Sequence, residues 1–136
     1  MIREIVRDQF FLRLPSRAAS AADAAVADDL LDTLRANAGR CAGMAANMIG
    51  VNVRIIAFLD GGRAEEMFNP VLLSREGPDE ADEGCLSLDG TRPARRYRTV
   101  SVRWQTRGGQ TRTRTFTGFT AQVIQHEMDH LEGILI

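Results

Sequence analysis

The spacing of apolar residues predicts two helices in this chain. Ser20 and Asp23 have the spacing of a capping box, and apolar residues then recur at helical intervals to about Asn37. A second segment with helical spacing runs from 120 to 131, and Gly133 directly after it suits the end of a helix. Both segments are amphipathic, so each is expected to bury one face.

Other segments have the patterns of β-strands. The continuous apolar run from Val53 to Leu59 predicts a buried strand, and residues 67–73 predict another whose proline marks an edge or a bulge. Apolar and polar residues alternate over 100–104 and again over 111–117, and the two glycines between them predict a hairpin. The acidic stretch from Glu76 to Glu83 is predicted to be a surface loop. Strands grouped between two helices indicate an α+β fold.

Length and composition restrict the class of protein. The chain has 136 residues, which predicts a single domain spanning 1–136. Its net charge of −1 predicts no DNA partner, and the lack of lysine excludes Schiff-base chemistry. No apolar run approaches the roughly 20 residues of a membrane span, and the charged N-terminus lacks the apolar core of a signal peptide. These features predict a cytoplasmic protein without membrane contact.

The two histidines of the chain lie four residues apart in the second predicted helix. Positions i and i+4 share one face of an α-helix, so His126 and His130 can both reach one metal ion. Glu127 between them would flank the water carried by that ion. The same pattern also arises by chance on a solvated helix, so these three residues alone leave metal binding open.

A third metal ligand must come from elsewhere in the chain, because a catalytic site usually has three protein ligands and one open position. Cys85 is the candidate, since a thiolate with two imidazoles would leave that position free. A buried thiol in the core is the alternative interpretation of Cys85. It is the preferred interpretation of Cys41, the other cysteine.

Three segments of the chain resemble motifs of the peptide deformylase family. The family has a Gly-x-Gly-apolar-Ala-Ala-x-Gln loop, a Glu-Gly-Cys-Leu-Ser segment and a Gln-His-Glu-x-Asp-His-Leu helix. The second motif is intact at 83–87 and the third at 125–131. The first is altered at 41–48, where Cys41 replaces the first glycine and Met48 replaces the glutamine. The resemblance covers nearly the whole chain.

The resemblance implies a fold in which antiparallel β-sheets surround a central helix that carries His-Glu-x-x-His. It implies hydrolysis of the N-formyl group from the N-terminal methionine of nascent polypeptides. By the same resemblance, Cys85, His126 and His130 bind the metal. Glu127 and the backbone N–H of Leu86 carry the catalysis. The substrate-binding candidates are Gly43, Met44, Gly84 and Phe119, of which the last is equally consistent with an ordinary core position.

The altered loop removes a hydrogen-bond donor that the resemblance places in the active site. The family's glutamine donates to the formyl oxygen as it becomes an oxyanion. Met48 has no donor, and losing one such donor typically costs about 10²–10³ in rate. Asn47 carries an amide, but in an extended segment it would face away from Met48. Two alternatives therefore remain: an amidase for another N-acyl substrate, and a non-catalytic metal-binding relative that recognises peptide N-termini.

The resemblance also implies a cofactor and partners. One divalent metal ion is expected, with Fe(II) in the cell and Zn or Ni in purified protein. Glu83 and Asp129 are candidates to orient a ligand or to pair with Arg96. The arginines at 92–114 form either a basic patch for a transient ribosome contact or the solvated face of a hairpin, and the second is preferred. Asp89 stands where the family commonly has proline.

Overall fold

The structure is a computed structural model that describes residues 1–135. Its elements are α1 (Gln9–Leu12), α2 (Ala24–Ala36), β1 (Gly43–Ala45), β2 (Ile55–Asp60), β3 (Arg63–Cys85), β4 (Leu88–Gln105), β5 (Thr111–Thr117) and α3 (Gly118–Leu131). The strands form one antiparallel sheet in the order β1-β2-β3-β4-β5. The predicted α+β class is confirmed. None of the helices in residues 1–135 is long and apolar enough to cross a membrane.

The capping box predicted at the start of the first helix is present. The side chain of Ser20 accepts a hydrogen bond from the N–H of Ala22, and the side chain of Asp23 accepts one from the N–H of Ser20. A 3₁₀ turn (Ala21–Asp23) follows and leads directly into α2. Leu30 and Leu34 of α2 are fully buried in a cluster that includes residues of β1 and β2.

The strand β2 is apolar from Ile55 to Leu59 because both faces of its first four residues are covered. Ile55 and Ala57 belong to the core cluster that contains the buried side of α2. Ile56 and Phe58 belong to a second cluster, which contains the buried side of α3 and parts of β4 and β5. A strand covered on both faces is expected as a continuous apolar run, as the sequence indicated.

The prediction that Glu76–Glu83 is a surface loop is wrong, because these residues lie inside β3. They pair with residues 92–99 of β4, where several side chains are arginines. Opposite charges on neighbouring strands stabilise such a pairing even where the residues themselves have low β-propensity. The cross-strand ion pairs are Arg95–Glu80 and Arg98–Asp79, both 3.4 Å long, and Arg96–Glu83 at 2.7 Å.

Two other arginines of the 92–114 segment are also paired with acidic residues. Arg107 contacts Glu66 and Asp28 at 2.6 and 2.9 Å, and Arg114 contacts Asp60 at 2.9 Å. These contacts support the interpretation of the arginines as the charged face of a hairpin. The hairpin predicted from 100–104 and 111–117 corresponds to the end of β4 and to β5.

The end of α3 is closed by a Schellman motif, as the position of Gly133 predicted. The N–H of Ile134 donates to the carbonyl of Asp129, and the N–H of Gly133 donates to the carbonyl of His130, both at 3.0 Å. Gly133 has φ +77°, and a Cβ atom there would collide with the backbone carbonyl of Arg13. The motif therefore requires glycine both for its left-handed backbone and for the close approach of the N-terminal segment.

Alanine substitutions at Gly133 and Gly109 separate the cost of the left-handed backbone from the cost of the close approach to Arg13. Gly109 has φ +89° with open space around it, so Gly109→Ala is expected to lower the free energy of unfolding by about 1 kcal/mol through backbone strain alone. Gly133→Ala is expected to cost a further 1–3 kcal/mol or so, because the backbone of Arg13 must move. Urea unfolding of both variants measures the difference, and equal costs would contradict the packing argument.

Candidate metal centre

The side chains of Cys85, His126 and His130 converge on one point. Their ligand atoms all lie within 4.8 Å of one another. The two Nε2 atoms are 3.1 Å apart, and the Sγ of Cys85 is 3.5 Å from the Nε2 of His130. Cys85 is the last residue of β3, while the histidines lie on adjacent turns of α3. The structure therefore brings together the three residues that the sequence proposed as metal ligands.

The donor set fits a single divalent ion. One sulfur and two imidazole nitrogens are the ligands that zinc, ferrous iron, cobalt and nickel accept in proteins. His126 and His130 are buried, at 7% and 0% exposure, so a cation there would be shielded from solvent on the helix side. Three protein ligands leave one coordination position free, which is the arrangement of catalytic rather than structural sites.

A buried ion cluster orients His126. Its Nδ1 lies 2.9 Å from the Oε1 of Glu83, which turns its Nε2 toward the other two ligand atoms. Arg96 donates three hydrogen bonds to Glu83, at 2.7, 2.9 and 3.1 Å, and one to Asp129 at 2.8 Å. Burial alone would raise the pKa of Glu83, but its bonds to His126 and Arg96 lower it to about 2. Glu83 and Asp129 thus both pair with Arg96, and Glu83 also orients a ligand.

Burial and neighbouring charges shift the pKa values of the three buried groups on α3 in different directions. Burial alone would lower the pKa of His126, but the nearby Glu127, Cys85 and Glu83 raise it to about 10. Burial, with the positive charge of His126 as a second cause, lowers the pKa of His130 to about 3. His130 is therefore a neutral donor of a lone pair at pH 7. Burial also raises the pKa of the Glu127 carboxyl to about 7.

Glu127 lines the same cleft as Cys85 and His126. It is 4% exposed, its Oε1 has no hydrogen-bond partner within residues 1–135, and it contributes to the wall of a cleft of about 230 Å³. A pKa near neutrality suits a group that must both accept and return a proton. The other predicted residues on this wall are Gly43, Gly84, Cys85, Leu86, Phe119 and His126.

Phe119 belongs to the cleft and not to the core. It is 66% exposed and lines the opening, so an apolar ligand group would cover it. Met44, by contrast, does not line the cleft: its side chain is fully buried in the cluster that packs on α2. Successive side chains of a strand point to opposite faces, so Gly43 faces α3 while Met44 faces α2. The Met44 side chain therefore belongs to the core, and the predicted substrate role of this residue stays a prediction that concerns its backbone.

Gly43 allows the edge strand β1 to approach the helix that carries the histidines. A Cβ atom at this position would lie 2.5 Å from Cγ1 of Val123 and 3.0 Å from Oε2 of Glu127. Any larger residue would therefore displace the side chain proposed as the base. The requirement for glycine here follows from packing, since no left-handed backbone is involved at Gly43.

Met48 lines the cleft where the resemblance expects glutamine. It stands in a 3₁₀ turn (Ala46–Ile49), and its Sδ accepts a hydrogen bond from the N–H of Ala45 at 3.5 Å. The amide of Asn47 does not replace the missing donor. Its Nδ2 donates instead to the backbone carbonyl of His130 at 3.1 Å, inside the core.

Cys41 is a cleft residue that sequence reasoning assigned to the core. Its half-buried side chain packs against the core cluster of α2 on one side and lines the cleft on the other, so the prediction of a fully buried thiol is wrong. Burial, and then the charge of Glu127, raises the pKa of this thiol to about 11, so it is protonated and neutral at pH 7. One signal in the sequence could have indicated the cleft position. Cys41 is the first residue of the altered motif, where the family has glycine.

Arg7 is a further residue that sequence reasoning missed. Its Nη1 donates to the carbonyl of Leu86 at 3.0 Å, and its Nη2 contacts Asp89 at 2.5 Å. These contacts tie the N-terminal segment to the turn that follows Cys85. No local pattern marks such a contact, because the partners lie about eighty positions apart in the sequence.

Comparisons with known proteins agree with this geometry. The chain matches the family model for polypeptide deformylase over residues 4–136. It is 52% identical to a peptide deformylase of Clostridium beijerinckii over the full length of both chains. It is 40% identical to one from Desulfitobacterium hafniense over 109 residues, covering 79% of this chain and 71% of that relative.

Solved structures of the same family resemble the fold. A Met-Ala-Ser-bound class I type b peptide deformylase from Acinetobacter baumannii superposes with a TM-score of 0.90 at 26% identity, covering 99% of this chain and 97% of that one. A peptide deformylase from Legionella pneumophila superposes with a TM-score of 0.88 at 31% identity, covering 99% and 83%. The fold predicted from the resemblance is therefore confirmed.

Removal of Glu83 tests the buried ion cluster. Glu83→Ala leaves Arg96, which is 7% exposed, with Asp129 alone, so the free energy of unfolding of the metal-free protein is expected to fall by about 3–5 kcal/mol. Glu80→Ala breaks an exposed pair on the same strand and is expected to change little. Urea unfolding compares the two variants, and a similar small loss in both would show that the cluster contributes little.

Proposed function

The chain belongs to the peptide deformylase family, and from that premise we propose that its cleft binds the N-terminus of a formylated nascent peptide and releases the formyl group as formate. The protein is an enzyme, a hydrolase of an amide bond. The observation that carries the proposal is the convergence of Cys85, His126 and His130 beside the buried Glu127. A related structure with Met-Ala-Ser bound supports a peptide as the ligand.

One divalent metal ion is the cofactor of this family, and the three converging donors would hold it. Fe(II), zinc and nickel all suit a thiolate with two imidazoles. Among them we infer Fe(II) as the ion in the cell, with zinc or nickel in purified protein. When bound, the ion polarises the formyl carbonyl and makes a water molecule more acidic.

Glu127 moves the proton in this proposal. It accepts a proton from the attacking water and delivers it to the nitrogen of the methionine as the formyl carbon–nitrogen bond breaks. The water oxygen remains on the formyl carbon, so the products are formate and a free amine. The pKa of about 7 for the Glu127 carboxyl suits both transfers.

The remaining cleft residues bind and orient the substrate. The N–H of Leu86 would donate to the formyl oxygen as negative charge develops on it. The exposed ring of Phe119 would cover the methionine side chain, and the backbone at Gly43 and Gly84 would lie along the peptide. We propose that the reaction takes place in the cytoplasm, where formylated chains emerge from the ribosome. A transient ribosome contact remains a prediction, and the paired arginines of 92–114 do not add support to it.

Loss of the base is expected to abolish hydrolysis without loss of the metal. Glu127→Gln is expected to lower the rate of formate release from formyl-Met-Ala-Ser at least about 10²-fold, because the carboxamide cannot accept the proton. Anaerobically prepared, iron-loaded protein is used, and the metal content is measured in parallel. Glu132→Gln, an exposed substitution just beyond α3, is the matched control and is expected to retain the wild-type rate.

Wild-type protein that binds metal but releases no formate would contradict the deformylase function. It would favour the amidase for another N-acyl substrate, or the binding role.

Restoration of the missing donor is expected to raise activity. Met48→Gln places a carboxamide on the cleft wall, and kcat is expected to rise at least about tenfold, toward the 10²–10³ that one oxyanion donor contributes. Met48→Leu, of similar volume and without a donor, is expected to show no gain. The comparison uses kcat with formyl-Met-Ala-Ser, and no gain in Met48→Gln would mean that another group already supplies the second donor.

A further inference from the structure

Asn47 is a buried polar side chain beside the metal centre that the proposed mechanism does not use. It is 0% exposed, and its Nδ2 donates to the backbone carbonyl of His130 at 3.1 Å. Its Oδ1 is buried without a hydrogen-bond partner in residues 1–135, and so is the Nδ1 of His130. The two residues thus share one hydrogen bond, and each also has one buried polar atom without a partner, Oδ1 in Asn47 and Nδ1 in His130.

A ligating imidazole needs a partner for its second nitrogen. When Nε2 binds a metal, Nδ1 carries the hydrogen and nearly always donates it to a carboxylate, a carbonyl or water. His126 meets this requirement through Glu83. His130 directs its Nε2 toward Cys85 and His126, so its Nδ1–H points away from the metal and lacks an acceptor. A buried donor left unpaired destabilises the state that contains it.

The buried side-chain atoms that lack a hydrogen-bond partner narrow the choice of acceptor for the Nδ1–H of His130. Within residues 1–135 the buried side-chain atoms without a partner are Asn47 Oδ1, Ser87 Oγ, Glu127 Oε1 and His130 Nδ1. Glu127 serves as the base at the cleft, and Ser87 lies in the turn between β3 and β4. Asn47 alone is already hydrogen-bonded to His130.

We propose that Asn47 is a positioning residue of the metal centre, whose Oδ1 accepts the Nδ1–H of His130 when the metal is bound. A small shift of the carboxamide, or one bridging water, joins the two atoms. The inference rests on the proposed function in that His130 is taken as a metal ligand. It assigns the two histidines different partners: the anionic Glu83 for His126 and a neutral amide for His130.

Zinc release tests this role without reference to catalysis. Zinc-loaded protein is mixed with excess chelator, and the release rate is followed for the wild type and three variants. Asn47→Ala removes the acceptor and is expected to release zinc about 10–100-fold faster. Asn47→Asp keeps an acceptor and is expected to release zinc no faster than the wild type.

Thr33→Val is the matched control. Thr33 is also fully buried and hydrogen-bonded, but it lies on α2 and bonds to Asp29 and Arg3 rather than to the metal centre. Its loss is expected to lower stability without changing zinc release. Equal release rates in Asn47→Ala and Thr33→Val, or an Asn47→Asp variant as fast as Asn47→Ala, would overturn the proposal.

A second measurement needs no variant. In a high-resolution crystal structure of the zinc-loaded wild type, Oδ1 of Asn47 is expected to bond to Nδ1 of His130 directly or through one ordered water. A different acceptor at Nδ1 would overturn the proposal. Wild-type protein that holds zinc but releases no formate would contradict the proposed function and leave the role of Asn47 intact, so the two failures are distinguishable.

Discussion

The buried ion cluster of Glu83, Arg96 and His126 is the interaction on which the rest of the site depends. The proposed metal ligands come from two elements, the end of β3 and the middle of α3, and this cluster joins them. Glu83 stands two residues before Cys85 and contacts both Arg96 and His126. Buried charges are costly unless each is paired, so the hairpin end and the helix have one favourable register. Asp129 extends the pairing along α3 through Arg96.

Exclusion of water around α3 determines the chemistry of the individual groups. The same burial that raises the pKa of Glu127 to about 7 helps to lower the pKa of His130 to about 3. A general base works best when its carboxyl titrates near neutrality. An imidazole that binds a metal must stay neutral. The close approach of β1 maintains this exclusion, and only glycine at position 43 permits it. Close packing at Gly43 thus helps to keep the pKa of Glu127 near neutrality.

Sequence reasoning succeeded where the relevant signal is local. The i, i+4 spacing of the histidines, the capping box at Ser20 and the glycine after α3 each act within a few residues, and each has its structural counterpart. It failed for Glu76–Glu83 because the arginines that make an acidic strand stable lie on β4. It also assigned Cys41 wholly to the core, since the residues before the short strand β1 have no periodic pattern that shows which side chains reach the cleft.

The two consecutive residues Asn47 and Met48 differ in role because they share a 3₁₀ turn. With about three residues per turn, adjacent side chains diverge by roughly 120°, so Met48 faces the cleft while Asn47 faces α3. The amide at 47 is therefore committed to His130 and cannot serve the oxyanion. In the proposed function, charge stabilisation at the formyl oxygen would then depend on the backbone N–H of Leu86. Arg7 fixes the turn that carries this group by bonding the Leu86 carbonyl and Asp89, so a contact from the N-terminal segment supports the donor that the altered loop leaves in place.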